Sequence, residues 1–275
     1  MNRALLVGIN NYPSPNQLHG CVNDVSDMAN FLVSKCGFAH DDVRLVTDAR
    51  ATAKNILDRI GWLLTGIGKG DRILFHYSGH GAQVPARNPQ GQTDRVDEVI
   101  CPVDFSFDDD STMIRDKDFV RLFGNVPAGV EFNWVSDSCF SGGLTKAMMA
   151  MPKNVTTCKC KSFEMPADIA WRAQTAAAKN IQPLGMKGAA KQLNVALISG
   201  CSATEESNDA DIGGRFNGAL TYYLLSVLKG ANGLKLPLTQ VVKTVSGDLQ
   251  QAGFTHQHPE LLGSTAIGKK AFLTS

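Results

Sequence analysis

The sequence has almost no net charge and no apolar run long enough to enter a membrane. Its 275 residues include 27 Lys and Arg against 26 Asp and Glu, which leaves a formal net charge of +1. This balance gives no basic face for nucleic acid and no acidic tail. The apolar run near the N-terminus, at 4–9, is too short for a signal peptide or a membrane span. We therefore expect neither a nucleic-acid partner nor a membrane partner.

The sequence also lacks a regular cysteine framework. The cysteines are odd in number and scattered: Cys21, Cys36, Cys101, Cys139, Cys158, Cys160 and Cys201. This pattern does not indicate paired disulfides, so we expect a reducing, cytoplasmic compartment. The "CKC" at 158–160 has no second Cys/His pair at the spacing of a zinc site, and it is typical of a mobile loop.

Apolar runs of strand length alternate with amphipathic stretches of helical length. The predicted strands cover 4–9, 43–48, 72–79, 130–137 and 194–201. The predicted helices cover 22–35, 53–67, 116–126, 218–230 and 238–253. Strands that alternate with helices of about ten residues or more favour an α/β fold, with a mostly parallel central sheet and helices on both faces.

One segment, 145–192, interrupts this order. It contains Lys, Ala, Met and Pro without strand periodicity. A long, weakly patterned insert within a domain is usually functional or disordered. We interpret 1–275 as a single domain in which the insert links a first part, 1–144, to a second part, 193–275.

Small, polar and nucleophilic residues follow four of the predicted strands. The segments are "GINNY", "HYSGHGAQ", "SDSCFSGG" and "SGCSATEES". Sites in such sheets lie beyond the carboxyl ends of the strands. The four segments are therefore expected to form one site.

Cys139 and His80 are the candidate catalytic pair of that site. The thiolate is the reactive form of cysteine, and a nearby imidazole lowers the thiol pKa and transfers protons. The backbone N–H groups of Gly81 and Cys139 are candidate donors to an oxyanion. The alternative is a buried cysteine and a structural histidine. His76 lies within an apolar run and is interpreted in that structural way.

Six segments of the sequence form a recognisable set. Three are short motifs: "GCVNDV" (20–25), "HYSGHG" (76–81) and "SDSCFSGG" (136–143). The other three are "DEVICPVDF", "ISGCSATEES" and "GRFNGALTYYLL". Together they resemble the metacaspases, which are caspase-like cysteine peptidases of clan CD, family C14. The resemblance covers nearly the whole chain. It implies a caspase-like three-layer sandwich with a p20-like part before the insert and a p10-like part after it. Phe140 stands where the family usually has His, so we expect an altered substrate groove.

The resemblance also implies a role for each matching residue. His80 is the general base and Cys139 is the nucleophile, which forms an acyl-enzyme that water hydrolyses. Asp24 and Asp137 form an acidic pocket that Ser78 lines. Two carboxylates hold a guanidinium bidentately, so cleavage after Arg, and then Lys, is expected. For Asp24 the alternative is an acid that stabilises the first turn of a helix.

The insert is the expected site of self-cleavage. Its basic residues are Lys146, Lys153, Lys159, Lys161, Arg172, Lys179 and Lys187. A mobile segment with acceptable residues is a natural substrate of the enzyme's own site. Lys146, Lys153 and Arg172 are the leading candidates, and the alternative is an exposed loop that stays uncut.

Calcium activates many metacaspases, but this sequence offers it a poor set of ligands. The weak candidates are Asp94, Asp97, Asp116 and Asp118. The cations interleaved with them are Arg95, Arg115, Lys117 and Lys146. Calcium takes about six to eight oxygen ligands, several of them carboxylates, and nearby cations oppose its binding. We expect no metal and no other cofactor, and activity that needs no Ca²⁺ or needs it only at millimolar levels.

The expected partners are protein or peptide substrates with basic residues. By analogy with the family, we expect the chain to act as a monomer. The alternative function is a catalytically silent caspase-like module for binding or scaffolding. Loss of Cys or His usually marks such a module, and this sequence has both.

Overall fold

The strands and helices follow the alternating order that the sequence pattern predicts. The structure, a computed structural model, describes residues 1–86, 96–140, 152, 155–175, 193–202 and 205–273. The strands in these ranges are β1 (Asn2–Gly8), β2 (Val43–Thr47), β3 (Arg72–Ser78), β4 (Gly81–Pro85), β5 (Val96–Ile100), β6 (Ile114–Arg115), β7 (Glu131–Asp137), β8 (Val155–Cys160), β9 (Ala196–Ser199), β10 (Asn208–Ile212), β11 (Phe216–Gly218) and β12 (Glu260–Leu262). The helices are α1 (Cys21–Lys35), α2 (Ala53–Leu64), α3 (Asp116–Phe123), α4 (Ala167–Thr175), α5 (Ala219–Lys229), α6 (Leu238–Ala252) and α7 (Thr265–Gly268). Over the same ranges, no helix combines the length and the apolarity that a membrane crossing needs.

Six strands form the central sheet, in the order β12-β9-β7-β3-β1-β2. Neighbouring strands are parallel from β9 to β2, and β12 runs antiparallel to β9 at one edge. Parallel pairs need crossover connections, which helices provide. The mostly parallel sheet that the sequence predicts is confirmed.

Helices cover both faces of this sheet. Leu5 and Val7 of β1 belong to the apolar cluster that contains the buried residues of α2 and α3. Ala4 and Leu6 belong to the opposite cluster, with the buried residues of α1, α5 and α6. Successive side chains of a strand point to opposite faces, so a strand between two helical layers reads as a continuous apolar run. This arrangement confirms the three-layer α/β fold class.

Two small antiparallel sheets, β4-β5-β6 and β11-β10-β8, lie beside the central sheet and were not predicted. Strand β8 corrects the interpretation of 158–160 as a mobile loop. It pairs with β10, where Cys160 is opposite Asn208 and Lys159 is opposite Asp209. Its sequence, "VTTCKC", contains few apolar residues, so it gives little periodic signal. Helix α4 lies in the same insert, which therefore contains regular structure.

Helix α1 begins at the site edge of the sheet. Asn10 follows β1, and its Oδ1 accepts from the backbone N–H groups of Cys21 and Val22 at 2.9 and 3.3 Å. These N–H groups have no partner within the helix, so the contact fixes the helix start to the strand end. Gly8 permits this close approach, because a Cβ there would lie 2.5 Å from the Cys21 carbonyl oxygen. As a result, Asp24 in the first turn lies over the ends of the strands.

Candidate active site

The predicted strand-end segments meet at one edge of the central sheet. Ser78 ends β3, and it is opposite Gly8 of β1 and Asp137 of β7. Ser136 of β7 is opposite Ser199 of β9. The parallel register therefore places residues from four distant segments side by side.

Asp24, Asp137 and Ser78 form a buried pocket at this edge, which we call the acidic pocket. All three residues are 0% exposed. Ser78 Oγ donates to Asp24 Oδ2 at 2.7 Å. Buried carboxylates are costly unless cations or hydrogen bonds compensate them, so the partners of this pocket matter.

Lys161 of the insert supplies the cation of the acidic pocket. Its Nζ lies 3.1 Å from Asp137 Oδ1 and 3.5 Å from Asp24 Oδ2. It also donates to Ser78 Oγ at 2.9 Å. Lys161 is 0% exposed, and lysine is almost never fully buried unless it is paired. The pocket is thus filled by a basic side chain of the same protein.

Asp137 has further partners that the sequence analysis did not single out. Ser207 Oγ donates to its Oδ1 at 2.7 Å. The N–H and Oγ1 of Thr221 donate to its Oδ2 at 2.9 and 2.7 Å. Thr221 lies in the first turn of α5, where unpaired N–H groups and the helix dipole favour an anion. Both residues belong to quoted motifs, but only their position in space shows what they bind.

Residues at the junction of β11 and α5 donate hydrogen bonds to Asp24. Its carboxylate accepts from the N–H of Gly218 at 2.9 Å and from Asn217 Nδ2 at 3.0 Å. A Cβ at Gly218 would overlap the Lys161 ammonium and both carboxylates. Glycine at this position therefore keeps the pocket deep enough for a long basic side chain.

The two carboxylates of the pocket differ in their pKa values. Burial raises the pKa of Asp24 to about 7, and Lys161 opposes this only in part. Burial acts on Asp137 in the same direction, but Lys161 and the hydrogen bonds from Ser207 and Thr221 bring its pKa below the usual value. Burial lowers the pKa of Lys161, but attraction to Asp137 exceeds that effect and raises it well above normal. Asp137 and Lys161 are thus the charged pair.

The backbone of Lys161 binds to the two predicted oxyanion donors. Its carbonyl oxygen accepts from the N–H of Gly81 at 3.0 Å and from the N–H of Cys139 at 3.2 Å. Its own N–H donates to the Ser207 carbonyl at 3.0 Å. One carbonyl group therefore lies where two converging donors meet.

The chain continues through the site on both sides of Lys161. Before it, β8 pairs with β10. After it, Ser162 bridges to Gly81, and the N–H of Phe163 donates to the Gly81 carbonyl at 2.9 Å. We call residues 155–163 the strap. It crosses the site in an extended conformation, in the way that peptides add as strands to a sheet edge.

Cys139 is buried beneath the strap. Its Sγ is hydrogen-bonded to the backbone N–H of Ser207 and lies 3.3 Å from the Ser207 carbonyl oxygen. The sulfur atoms of Cys160 and Cys201 lie 3.7 and 3.9 Å away. Burial raises the pKa of the Cys139 thiol well above its usual value. Phe140, the departure from the family, packs in the apolar core, with its ring close to Gly81.

His80 is also covered, with 3% of its surface exposed. Its Nε2 lies 2.7 Å from the Asn16 carbonyl oxygen, and in the described part of the chain its Nδ1 has no hydrogen-bond partner. A carbonyl oxygen only accepts, so Nε2 carries the hydrogen and Nδ1 has a free lone pair. Burial lowers the pKa of His80 to about 4, against the effect of the Asn16 bond. No hydrogen bond joins the Cys139 sulfur to His80 among the residues that the structure describes, and such contacts are often long before substrate binds.

His76 lies below the acidic pocket, inside the sheet. Its Nε2 is 3.2 Å from Thr221 Oγ1, the hydroxyl that donates to Asp137. Burial lowers the pKa of His76 to about 3, so the ring is neutral. Its position agrees with the structural role that the sequence analysis gives it.

The calcium candidates lie at β5 and at the start of α3, and cations contact them. Arg115 Nη1 and Lys117 Nζ bind Asp97 at 2.7 and 2.5 Å. Asp118 accepts from the Arg115 N–H at 3.0 Å and caps the helix, whereas Asp116 is buried and Asp94 falls outside the described residues. Within the described ranges, no group of three or more His, Cys, Asp or Glu is placed to hold a metal ion. Because cations already bind the Asp97 oxygens and Asp118 caps a helix, the described members of this set do not fit a calcium cage.

Comparisons with known proteins agree with this geometry. The family model for the metacaspase peptidase C14 domain matches residues 2–148. Metacaspase-9 of Arabidopsis thaliana is 30% identical over 98% of this chain and 96% of its own length. Metacaspase-1 of Lodderomyces elongisporus is 30% identical over 94% of this chain, which spans 65% of that relative. A crystal structure of protein GSU0716 from Geobacter sulfurreducens superposes with a TM-score of 0.69 at 29% identity, and the match covers 99% of this chain and 98% of that one.

Proposed function

Since this chain belongs to the metacaspase family, whose C14 members are cysteine peptidases, we propose that it cleaves peptide bonds after lysine and arginine, with Cys139 as nucleophile and His80 as base. The main support for this proposal is the binding of Lys161 in the acidic pocket. Its side chain fills the acidic pocket and its carbonyl faces the N–H groups of Gly81 and Cys139. This arrangement supports a basic residue as the substrate residue before the cut bond.

The acidic pocket suits a cation for electrostatic and geometric reasons. Asp137 supplies a full charge, and Ser78 and Asp24 supply further acceptors around the same point. An aspartate side chain would face these carboxylates in a fully buried site, where like charges repel strongly. Lysine is the residue bound in the structure. The order of arginine before lysine stays a prediction, based on bidentate pairing with two carboxylates.

The proposed reaction uses the groups that surround the Lys161 carbonyl. His80 Nδ1 takes the proton of the Cys139 thiol, since Nε2 is held by the Asn16 carbonyl. The sulfur attacks the carbonyl carbon, and the N–H groups of Gly81 and Cys139 stabilise the oxyanion. His80 then gives its proton to the leaving amine, and water hydrolyses the acyl-enzyme.

We extend the proposal to self-cleavage, at the bond between Lys161 and Ser162. The sequence analysis favoured Lys146, Lys153 and Arg172 within the insert 145–192. Lys146 and Lys153 lie outside the described residues, and only the backbone of Arg172 is described, in α4. Lys161 is supported in their place because its side chain and its carbonyl both occupy the site.

Turnover of reporter peptides separates this proposal from a silent binding module. We expect release of aminomethylcoumarin from peptides that end in Arg or Lys, and none from peptides that end in Asp. Cys139→Ala should abolish release and His80→Ala should nearly do so. Cys36→Ala is a matched control, because Cys36 is a buried cysteine after α1 and should leave turnover intact. A wild-type protein that folds, stays at full length and never releases the dye would support the binding module instead.

A further inference from the structure

Phe163 lies two residues after Lys161 and contacts a group of aromatic rings. Its ring centroid is 4.5 Å from that of His80 and 5.4 Å from that of Tyr12, which it meets edge-on. It stacks on Phe105 at 5.4 Å with an interplanar angle of 30°. We call Tyr12, His80 and Phe105 the aromatic cradle. It lies on the side of the site from which the amine product would leave.

Gly81 fixes the distance between the cradle and the bond to be cut. Its N–H binds the Lys161 carbonyl at 3.0 Å, and its carbonyl binds the Phe163 N–H at 2.9 Å. Any peptide that places its carbonyl on Gly81 in this extended conformation brings its second following residue to the same place. The cradle therefore contacts the side chain at one defined position of a bound peptide, the second residue after the bond to be cut.

Contacts that do not involve the strap hold the cradle in shape. The Tyr12 hydroxyl donates to the Cys101 carbonyl at 2.8 Å and is itself buried. Phe105 packs edge-on against Phe107 at 4.9 Å, and its N–H donates to the Pro102 carbonyl at 3.0 Å. A site that is already formed before binding loses little entropy when a ligand enters.

We propose that the aromatic cradle is a specificity subsite, which selects an aromatic side chain at the second residue after the cut bond. This proposal rests on the peptidase function proposed above. An aromatic pair contributes more to binding than its buried area alone. The bound ring also covers His80 and keeps water from the group that transfers the proton. The subsite therefore acts on the leaving half of the substrate, independently of the acidic pocket.

The test compares two internally quenched peptides that differ at one residue, Lys-Ser-Phe and Lys-Ser-Ala, under the conditions in which the wild-type enzyme cuts the Lys reporter. We expect kcat/KM to be about fivefold or more higher for the Phe peptide. Phe105→Ala should remove this preference. The same variant should still release aminomethylcoumarin from a Lys reporter, since that reporter has no residue after the bond. Tyr222→Ala, which removes a half-exposed aromatic ring of α5, should keep the preference.

Phe105→Leu is a second variant, which tests the same subsite if Phe105→Ala does not fold. It keeps most of the side-chain volume but lacks the stacking ring, so it should still cut the Lys reporter and show a smaller preference for Phe over Ala at the second position. Equal kcat/KM for the Phe and Ala peptides, in an enzyme that cuts the reporter, overturns the subsite while the peptidase function stands. A wild-type enzyme that does not cut the Lys reporter overturns the peptidase function, and the subsite with it.

Discussion

The Lys161 ammonium lies 3.1 Å from the Asp137 carboxylate, and neither residue is exposed to solvent. A buried ion pair gains little overall stability, but removing one partner leaves an unpaired charge and costs about 3–5 kcal/mol. The pair therefore couples the position of the strap to the acidic pocket.

Lys161 should be the residue after which the chain cuts itself. We expect Lys161→Gln to stay at full length, and Lys161→Arg to be cut, because arginine keeps the charge. Sequencing of the new N-terminus should begin at Ser162. Lys159→Gln is the control, since the Lys159 ammonium donates to the Gln17 carbonyl, at 2.8 Å, and the variant should still be cut. Equal cutting of Lys161→Gln and the wild type would place the cut elsewhere.

Asp137→Asn should reduce kcat/KM for basic reporters more than Asp24→Asn. The pKa of Asp137 lies below its usual value, whereas burial raises that of Asp24 to about 7. Loss of the full charge should cost about a hundredfold or more, and loss of the partial one about tenfold. Asp27→Asn, one turn along α1 in an exposed pair with Arg215, should have little effect. The opposite order of the two pocket variants would contradict the assignment of the charged pair.

Gly218→Ala should close the acidic pocket. Its methyl group would overlap the space of the Lys161 ammonium and both carboxylates. We expect loss of turnover of Lys and Arg reporters and a lower midpoint of thermal unfolding, since the strap loses its buried lysine site. Gly247→Ala provides the control, because a Cβ there meets nothing within 4 Å and Gly247 lies inside α6. A Gly218→Ala enzyme with wild-type kcat/KM would show that residue 218 does not limit the depth of the acidic pocket.

The burial of His80 should make stability depend on pH. Burial lowers its pKa from 6.5 to about 4 in the folded chain. Between these values the unfolded chain holds a proton that the folded chain does not, so the free energy of unfolding falls as the pH falls from 6.5 towards 4. Over the whole window this amounts to about 3 kcal/mol.

The measurement is urea unfolding in the Cys139→Ala background, which prevents self-cleavage. Cys139→Ala should lose about 3 kcal/mol more over this pH window than Cys139→Ala/His80→Gln. Taking the difference between the two removes the contributions of the other titrating groups. Identical losses in both proteins would mean that folding does not lower the pKa of His80.

Calcium should not be required for activity. Arg115 and Lys117 bind the Asp97 oxygens at 2.7 and 2.5 Å, so a calcium ion would have to displace them. We expect reporter turnover in the presence of a chelator, with at most a weak rise at millimolar Ca²⁺. An increase of about tenfold at sub-millimolar Ca²⁺, which is about 1.4 kcal/mol, would show that these carboxylates do form a site.

The central fold and several site positions could be predicted because their signals are local. The apolar runs give the parallel strands, and the glycines and polar residues after them mark the edge at which Cys139 and His80 lie. The resemblance to the metacaspases implied the pocket residues Asp24 and Asp137, and the places of Gly81 and Cys139 after two strands made their N–H groups candidate oxyanion donors. The roles of these residues stay predictions.

Lys161 and Phe163 could not be predicted, because their roles depend on long-range packing. A buried lysine contradicts the usual distribution of charged residues, and nothing in "VTTCKC" indicates a strand that pairs with β10. Ser207 and Thr221 were visible as parts of motifs, but their hydrogen bonds to Asp137 join segments about 70 to 84 positions apart.

The central sheet determines what happens to a molecule nicked after Lys161. Strand β7, before the nick, pairs with β9, after it, from Asn133 opposite Ala196 to Ser136 opposite Ser199. The apolar cluster on one face joins Leu6 of the first fragment to Leu224 of the second. The two fragments would therefore migrate together in a native sizing column and separate only in denaturant. Once apart, they would regain the folded state at a rate that depends on their concentration, because refolding has become an association of two chains.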